Sequence, residues 1–287
     1  MFVRDEIASQ PECWRKIATL AQDVAGLPEK GERVAVVGCG TSWFIAQSYA
    51  ALREARGQGI TDAFAASEMP KGRAYDRVVA ITRSGTTTEV LHLLDSLDPA
   101  RSTVLTGVPE AIGDRAREVI DLRFADERSV VQTRFATSAL ALLRTHLGVD
   151  VLPAADQAQR VLDTETRELV DAEQFTFVGT GQNVGIANEA ALKMREASRS
   201  WAESYPAHEY RHGPISIAAP GRVVWMFGEV PDGLTEDVRA TGARIVHEDI
   251  DPLASLVRAQ LLAVAIAEHH GLDPDQPRHL SRSVVLE

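Results

Sequence analysis

Short runs of consecutive apolar, largely β-branched residues alternate along this chain with stretches in which apolar side chains return every three or four positions. The runs at 33–37, 62–66, 78–81, 102–105 and 119–124 are too short for buried helices and predict strands buried on both faces. Between them, helical spacing covers 44–56, 89–95 and 133–147, and an N-terminal helix is expected over 1–30. There Ile7, Trp14, Ile17, Leu20 and Val24 share one face. Leu152-Pro153 reads as a breaker, followed by a charged helix over 156–170. Strands alternating with helices of this length predict an α/β protein built on an open parallel sheet.

The pattern then starts again. Phe175-Thr-Phe-Val-Gly-Thr-Gly181 repeats the strand and glycine turn at 34–40, with Gly38/Gly179 and Gly40/Gly181 at one fixed offset. Ala66-Ser-Glu68 and Ala207-His-Glu209 share that offset, and the run at 223–228 falls where 78–81 leads one to expect it. Repetition of this kind predicts two copies of one fold, each a parallel sheet flanked by helices in three α/β/α layers. The expected division is a helix at 1–30, a first domain at 31–153, a second at 154–274 and a tail at 275–287. A closing apolar helix covers 253–268.

Composition narrows the class. With 287 residues, 45% hydrophobic and 25% charged, the chain is long enough for two packed domains. A net charge of −11 argues against nucleic acid or an anionic membrane as partner. Cys13 and Cys39 are too few for a disulfide framework. No signal peptide or bilayer-spanning run is legible, so a soluble, cytoplasmic protein is expected.

The richest chemistry lies where the third strand meets its helix. Thr82-Arg-Ser-Gly-Thr-Thr87 places hydroxyls, a guanidinium and the permissive Gly85 at a helix N-terminus, where unpaired N–H groups favour an anion. The bland alternative is a Ser/Thr-capped helix start. The second copy has Gly228-Glu-Val-Pro-Asp232 at this point, whose acidic residues repel phosphate, so one cradle per chain is expected. Glu189, Lys193 and Glu196 fall at i, i+4 and i+7 on one helix face, which on spacing alone reads as a solvated, ion-paired surface. His212 sits in a loop locked by Gly213 and Pro214, and histidine suits proton transfer near neutrality. His208 and His212 are four apart, but Pro206 and Gly213-Pro214 spoil a helix through them, so no metal is expected. Gly38-Cys-Gly40 lacks the third glycine of a dinucleotide fingerprint, and no cofactor is expected.

Taken in order, Cys39-Gly-Thr-Ser42, Thr82 to Thr87, Glu189 to Glu196 with Ala202-Glu-Ser-Tyr205 and Arg211-His-Gly-Pro214, and Ser281-Arg-Ser-Val-Val-Leu-Glu287 resemble the sugar isomerase (SIS) domain proteins. The likeness spans essentially the whole chain and is strongest to the isomerase half of glucosamine-6-phosphate synthase. It implies two tandem SIS domains and a sugar 6-phosphate held by Ser42, Thr82, Ser84 and Thr87. Gly40, Thr41, Arg83, Gly85, Val130, Gln132 and Arg282 join the substrate site. It further implies Glu196 as the base moving a proton between sugar carbons 1 and 2, His212 as the ring-opening group, and Glu189 and Lys193 as positioning residues. The histidine of similar proteins reaches a partner subunit, which implies a homodimer with shared active sites.

Two departures change the expected chemistry. The family's imine-forming tail lysine is Arg282 here, which stays protonated and forms no imine; Ser283 beside it has no amine. Arg83 replaces a glutamine, which implies a more tightly held or more anionic substrate. The glutaminase cysteine that follows the initiator Met is absent, since residue 2 is Phe, so glutamine is not the expected nitrogen donor. The leading reaction is isomerisation or deamination of a hexose or hexosamine 6-phosphate, glucosamine 6-phosphate to fructose 6-phosphate and ammonia first among them. Deglycation of a fructosamine 6-phosphate and non-catalytic sensing of a sugar phosphate are the alternatives.

Overall fold

The computed structural model describes residues 1–20, 24–164 and 167–286. The β-branched runs become β1 (Val34–Gly38), β2 (Thr61–Ala65), β3 (Arg77–Thr82), β4 (Ser102–Thr106) and β5 (Glu118–Asp121), a five-stranded sheet ordered β2-β1-β3-β4-β5. Every neighbouring pair is parallel. The repeat supplies β6 (Gln174–Gly179), β7 (Trp201–Pro206), β8 (Arg222–Phe227) and β9 (Arg244–His247), a second parallel sheet ordered β7-β6-β8-β9. The second sheet has the strand order of the first four strands of the first sheet, with no counterpart of β5 among the described residues.

Helices α1 (Phe2–Ala8) and α2 (Gln10–Leu20) precede the first sheet. Within and after it come α3 (Thr41–Ala55), α4 (Thr88–Asp95), α5 (Arg134–His146) and α6 (Leu152–Leu162). The second sheet carries α7 (Asn183–Lys193), α8 (Leu234–Ala240) and the closing α9 (Pro252–His269).

Three expectations need correction. The N-terminal helix is two helices, because Pro11 has no N–H to offer Ile7 and the ladder breaks at Ser9. Ile7, Trp14 and Ile17 are buried as the spacing requires, but Leu20 is half exposed and Val24 lies outside any helix; residues 21–23 fall outside the description. Pro153 does not break a helix before 156: it occupies the first turn of α6, where a missing N–H costs nothing, and the helix ends at Leu162. The strand expected over 119–124 stops at Asp121, and residues 123–125 form a 3-10 turn.

The two halves meet through α3 and α7, the first helix of each sheet. Gly185 lets them approach closely: a Cβ there would stand 2.3 Å from the Phe44 carbonyl oxygen. Ser48 Oγ donates to the Gln182 carbonyl at 2.7 Å, and Asn188 Nδ2 to Gln47 Oε1 at 2.7 Å. This packing carries the end of α7 to the start of α3. One apolar core spans both halves, from Trp14 and Tyr49 to Phe175, Phe177 and Trp225.

Candidate active site

The order of the first sheet reverses between β1 and β3, so the turns after these two strands flank a crevice at their carboxyl ends. Gly40 (φ 53°) takes the chain from β1 into α3, and Gly85 (φ 65°) turns it between β3 and α4. Gly40, Thr41, Ser42, Thr82, Ser84, Thr87, Val130 and Gln132 line one cleft of about 190 Å³. Thr82 Oγ1 is buried there with no hydrogen-bond partner, an unsatisfied group of the kind a ligand oxygen completes. Gly85 itself faces away, toward Val108 and Ala111, and shapes the turn rather than lining the cleft.

The second half contributes Glu196, which lines this same cleft from the far side. It is carried on a π-helical turn, Met194–Ser198, that continues α7, a distortion that recurs at functional sites. Lys193 just ahead of that turn is 1% exposed. Its ammonium is ion-paired with Glu196, lies 3.5 Å from Glu189 and donates to Thr41 Oγ1 at 3.0 Å. The face that spacing alone makes a solvated surface is therefore interior. Ala187, Ala190, Ala191, Met194 and Ala197 bury the surrounding helix, which leaves the charges facing inward.

Burial has a direct electrostatic consequence. Glu189 is fully enclosed and neither oxygen accepts a hydrogen bond; desolvation, opposed by the Lys193 charge, pushes its carboxyl up to about 8. Lys193 loses solvation by burial, but the facing Glu189 and Glu196 more than compensate and hold its ammonium above the ordinary lysine range. At neutral pH Glu189 thus keeps its proton while Lys193 spends its charge on Glu196.

Both arginines expected at the substrate line the cleft, but their charges are engaged by neighbouring carboxylates. Arg83, 5% exposed, turns inward: Nη1 lies 3.8 Å from Glu127 Oε2 and donates to the Ser129 carbonyl at 3.0 Å, while Nη2 donates to the Arg282 carbonyl at 2.7 Å. Its charge is matched by Glu127, so it adds no free cation to the cradle. Arg282 lines the cleft, but its guanidinium reaches Asp126 Oδ1 at 2.5 Å and the Glu127 carbonyl at 3.0 Å. His212 follows a 3-10 turn, Glu209–Arg211, is exposed, and does not line the cleft.

Sequence reasoning missed Asp126, Glu127 and Ser283. Ser283 enters the cradle itself, with its Oγ 3.1 Å from Ser84 Oγ. A serine two positions from another beside a lone arginine was the available signal, and only the fold reveals its destination. Among the described residues no cluster of His, Cys, Asp and Glu suited to a metal occurs, and no helix is long and apolar enough to cross a membrane.

The cleft thus lies at a parallel-sheet switch point, lined by a Ser/Thr turn and faced by the helix that carries Glu189, Lys193 and Glu196. No family model matches the chain. Relatives do: it is 32% identical, over 89% of its length, to glutamine–fructose-6-phosphate aminotransferase [isomerizing] of Gloeobacter violaceus. It is 28% identical over its full length to that of Methanothermobacter thermautotrophicus. The chain spans 52% and 58% of these two proteins. A solved structure of glucosamine-6-phosphate deaminase from Thermotoga maritima superposes with a TM-score of 0.81, at 26% identity and 99% coverage of both chains. The chain belongs to the sugar isomerase (SIS) domain family and is similar to the isomerase half of the aminotransferase.

Proposed function

We propose that this chain is an enzyme of two tandem SIS domains that binds a hexose or hexosamine 6-phosphate and moves a proton between sugar carbons 1 and 2. The observation that carries this reading is that Glu196 and the Thr82–Thr87 turn, from opposite halves of the molecule, line one cleft. In this reading Ser42, Thr82, Ser84 and Thr87 hold the phosphate, and that remote binding energy fixes the reacting carbons beside the Glu196 carboxylate. Glu196 takes the proton from one carbon and returns it to the next. Lys193, ion-paired with Glu196, keeps that carboxylate aimed, and Glu189, protonated, leaves the Lys193 charge undivided.

Ring opening needs a group that exchanges a proton with the ring oxygen and the anomeric hydroxyl. His212 is the residue we assign, delivered by the partner subunit of a cytoplasmic homodimer, since within one subunit it stands outside the cleft. With Arg282 ion-paired to Asp126, no tail amine is available for an imine, so the proton shuttle works without covalent attachment. The likeness to a glucosamine-6-phosphate deaminase favours release of ammonia from glucosamine 6-phosphate as the overall reaction.

The test is incubation with hexose and hexosamine 6-phosphates in heavy water, following deuterium at carbons 1 and 2 and ammonia in solution. Exchange with ammonia from glucosamine 6-phosphate supports deamination, and exchange alone supports isomerisation. Release of an intact amino acid and a hexose 6-phosphate from an amino-acid conjugate of fructosamine 6-phosphate, without ammonia, identifies a deglycase. Tight binding with no exchange contradicts catalysis and identifies a sensor.

A further inference from the structure

We propose that Ser283 occupies the place of one phosphoryl oxygen, so that residues 283–286 compete with the phosphate for the cradle and leave it when phosphate binds. This rests on the reading of the Thr82–Thr87 turn as the phosphate site, and goes beyond it in assigning the tail a role at that site.

The donors an anion requires are already partly engaged. Ser84 Oγ donates to Ser283 Oγ at 3.1 Å and Thr86 Oγ1 donates to the same oxygen at 3.0 Å. The Thr88 N–H, at the start of α4, donates to the Val284 carbonyl at 3.1 Å. Two hydroxyls and a helix N-terminal amide are thereby spent on neutral acceptors, while the buried Thr82 hydroxyl beside them has none. With the tail seated, the cleft holds about 190 Å³, below the ~300 Å³ at which small-molecule pockets ordinarily begin.

The tail is built to release beyond one residue. Arg282 is fastened on three sides, by Arg83 Nη2 to its carbonyl and by its own guanidinium to Asp126 and the Glu127 carbonyl. Past it, Val284, Val285 and Leu286 are each at least 50% exposed. What holds this segment is the cradle itself, with the Leu286 N–H donating to Thr88 Oγ1 at 2.9 Å. A phosphate dianion accepting from Ser84, the donor common to the tail and the phosphate site, makes charge-assisted bonds about twice as strong as neutral ones. It therefore displaces Ser283 while Arg282 stays latched.

Titration calorimetry of the full chain with inorganic phosphate, comparing wild type, Ser283→Ala and Thr82→Val, tests this. Ser283→Ala removes the competitor and is expected to tighten phosphate binding about threefold to tenfold, the worth of one net hydrogen bond. Unchanged or weaker binding overturns the proposal. Hydrogen exchange gives a second measure: the Leu286 amide is expected to exchange faster at saturating phosphate, and slower exchange overturns the proposal. Weakened binding in Thr82→Val with no effect of Ser283→Ala defeats the tail proposal alone. Wild-type binding in Thr82→Val, or no phosphate binding at all, defeats the cradle reading and the proposal with it.

Discussion

Lys193 Nζ lies 3.5 Å from Glu189 Oε1, with neither side chain in contact with bulk solvent. The same ammonium is also paired with Glu196, so one cation serves two carboxylates, and the enclosed one resolves the conflict by holding a proton.

The proton on Glu189 makes stability depend on pH in a definite direction. Its carboxyl has the ordinary carboxylate value of 4.5 when unfolded and is pushed up to about 8 by burial when folded, so between those values the folded state binds more protons. Stability from this group is complete below the lower value and declines as pH rises to about 8. Urea denaturation of wild type and Glu189→Gln from pH 5 to 9 should show wild type losing stability relative to the variant up to that point and levelling off above it. A difference independent of pH contradicts a protonated Glu189.

Arg83 and Glu127 form a second enclosed pair, 3.8 Å apart, with Glu127 also accepting from the Thr133 N–H at 2.6 Å and the Arg134 N–H at 2.8 Å. Removing only the cation in Arg83→Met leaves a buried carboxylate and should cost about 3–5 kcal/mol. The double variant Arg83→Met/Glu127→Gln should recover a large part of that loss. Equal stability of single and double variants in equilibrium denaturation contradicts the pairing.

Thr82 carries an unsatisfied buried hydroxyl in the free protein, so its replacement should act oppositely on folding and on binding. Thr82→Val should leave stability unchanged or slightly raised. It should weaken binding of a sugar 6-phosphate by about tenfold or more, as expected for a hydrogen bond to a charged group worth ~1.5–3 kcal/mol. Thermal unfolding and calorimetry together read both signs; lost stability with intact binding contradicts the assignment.

The features legible in the sequence were the ones written in contiguous residues. The strand, hydroxyl turn and helix at β3 and α4 are local, and so are the apolar runs that become the strands of both sheets. The Glu189, Lys193 and Glu196 spacing correctly set their mutual arrangement but not their burial. That follows from the alanines and Met194 around them, which leave the helix no polar outer face. The inward turn of Arg83 was not legible, because Glu127, Ser129 and Arg282 meet it only through the tertiary fold. Pro153 misled because the same residue that interrupts a helix interior is welcome in a first turn.

The central claim is that one carboxylate, Glu196, carries the proton between two sugar carbons while the cradle holds the phosphate. The most direct measurement is solvent deuterium incorporation at carbons 1 and 2 by Glu196→Gln, alongside its affinity for the same sugar 6-phosphate. The account predicts exchange reduced by at least about 100-fold, the contribution of a positioned general base, with affinity within a few-fold of wild type. Exchange at the wild-type rate in this variant contradicts it.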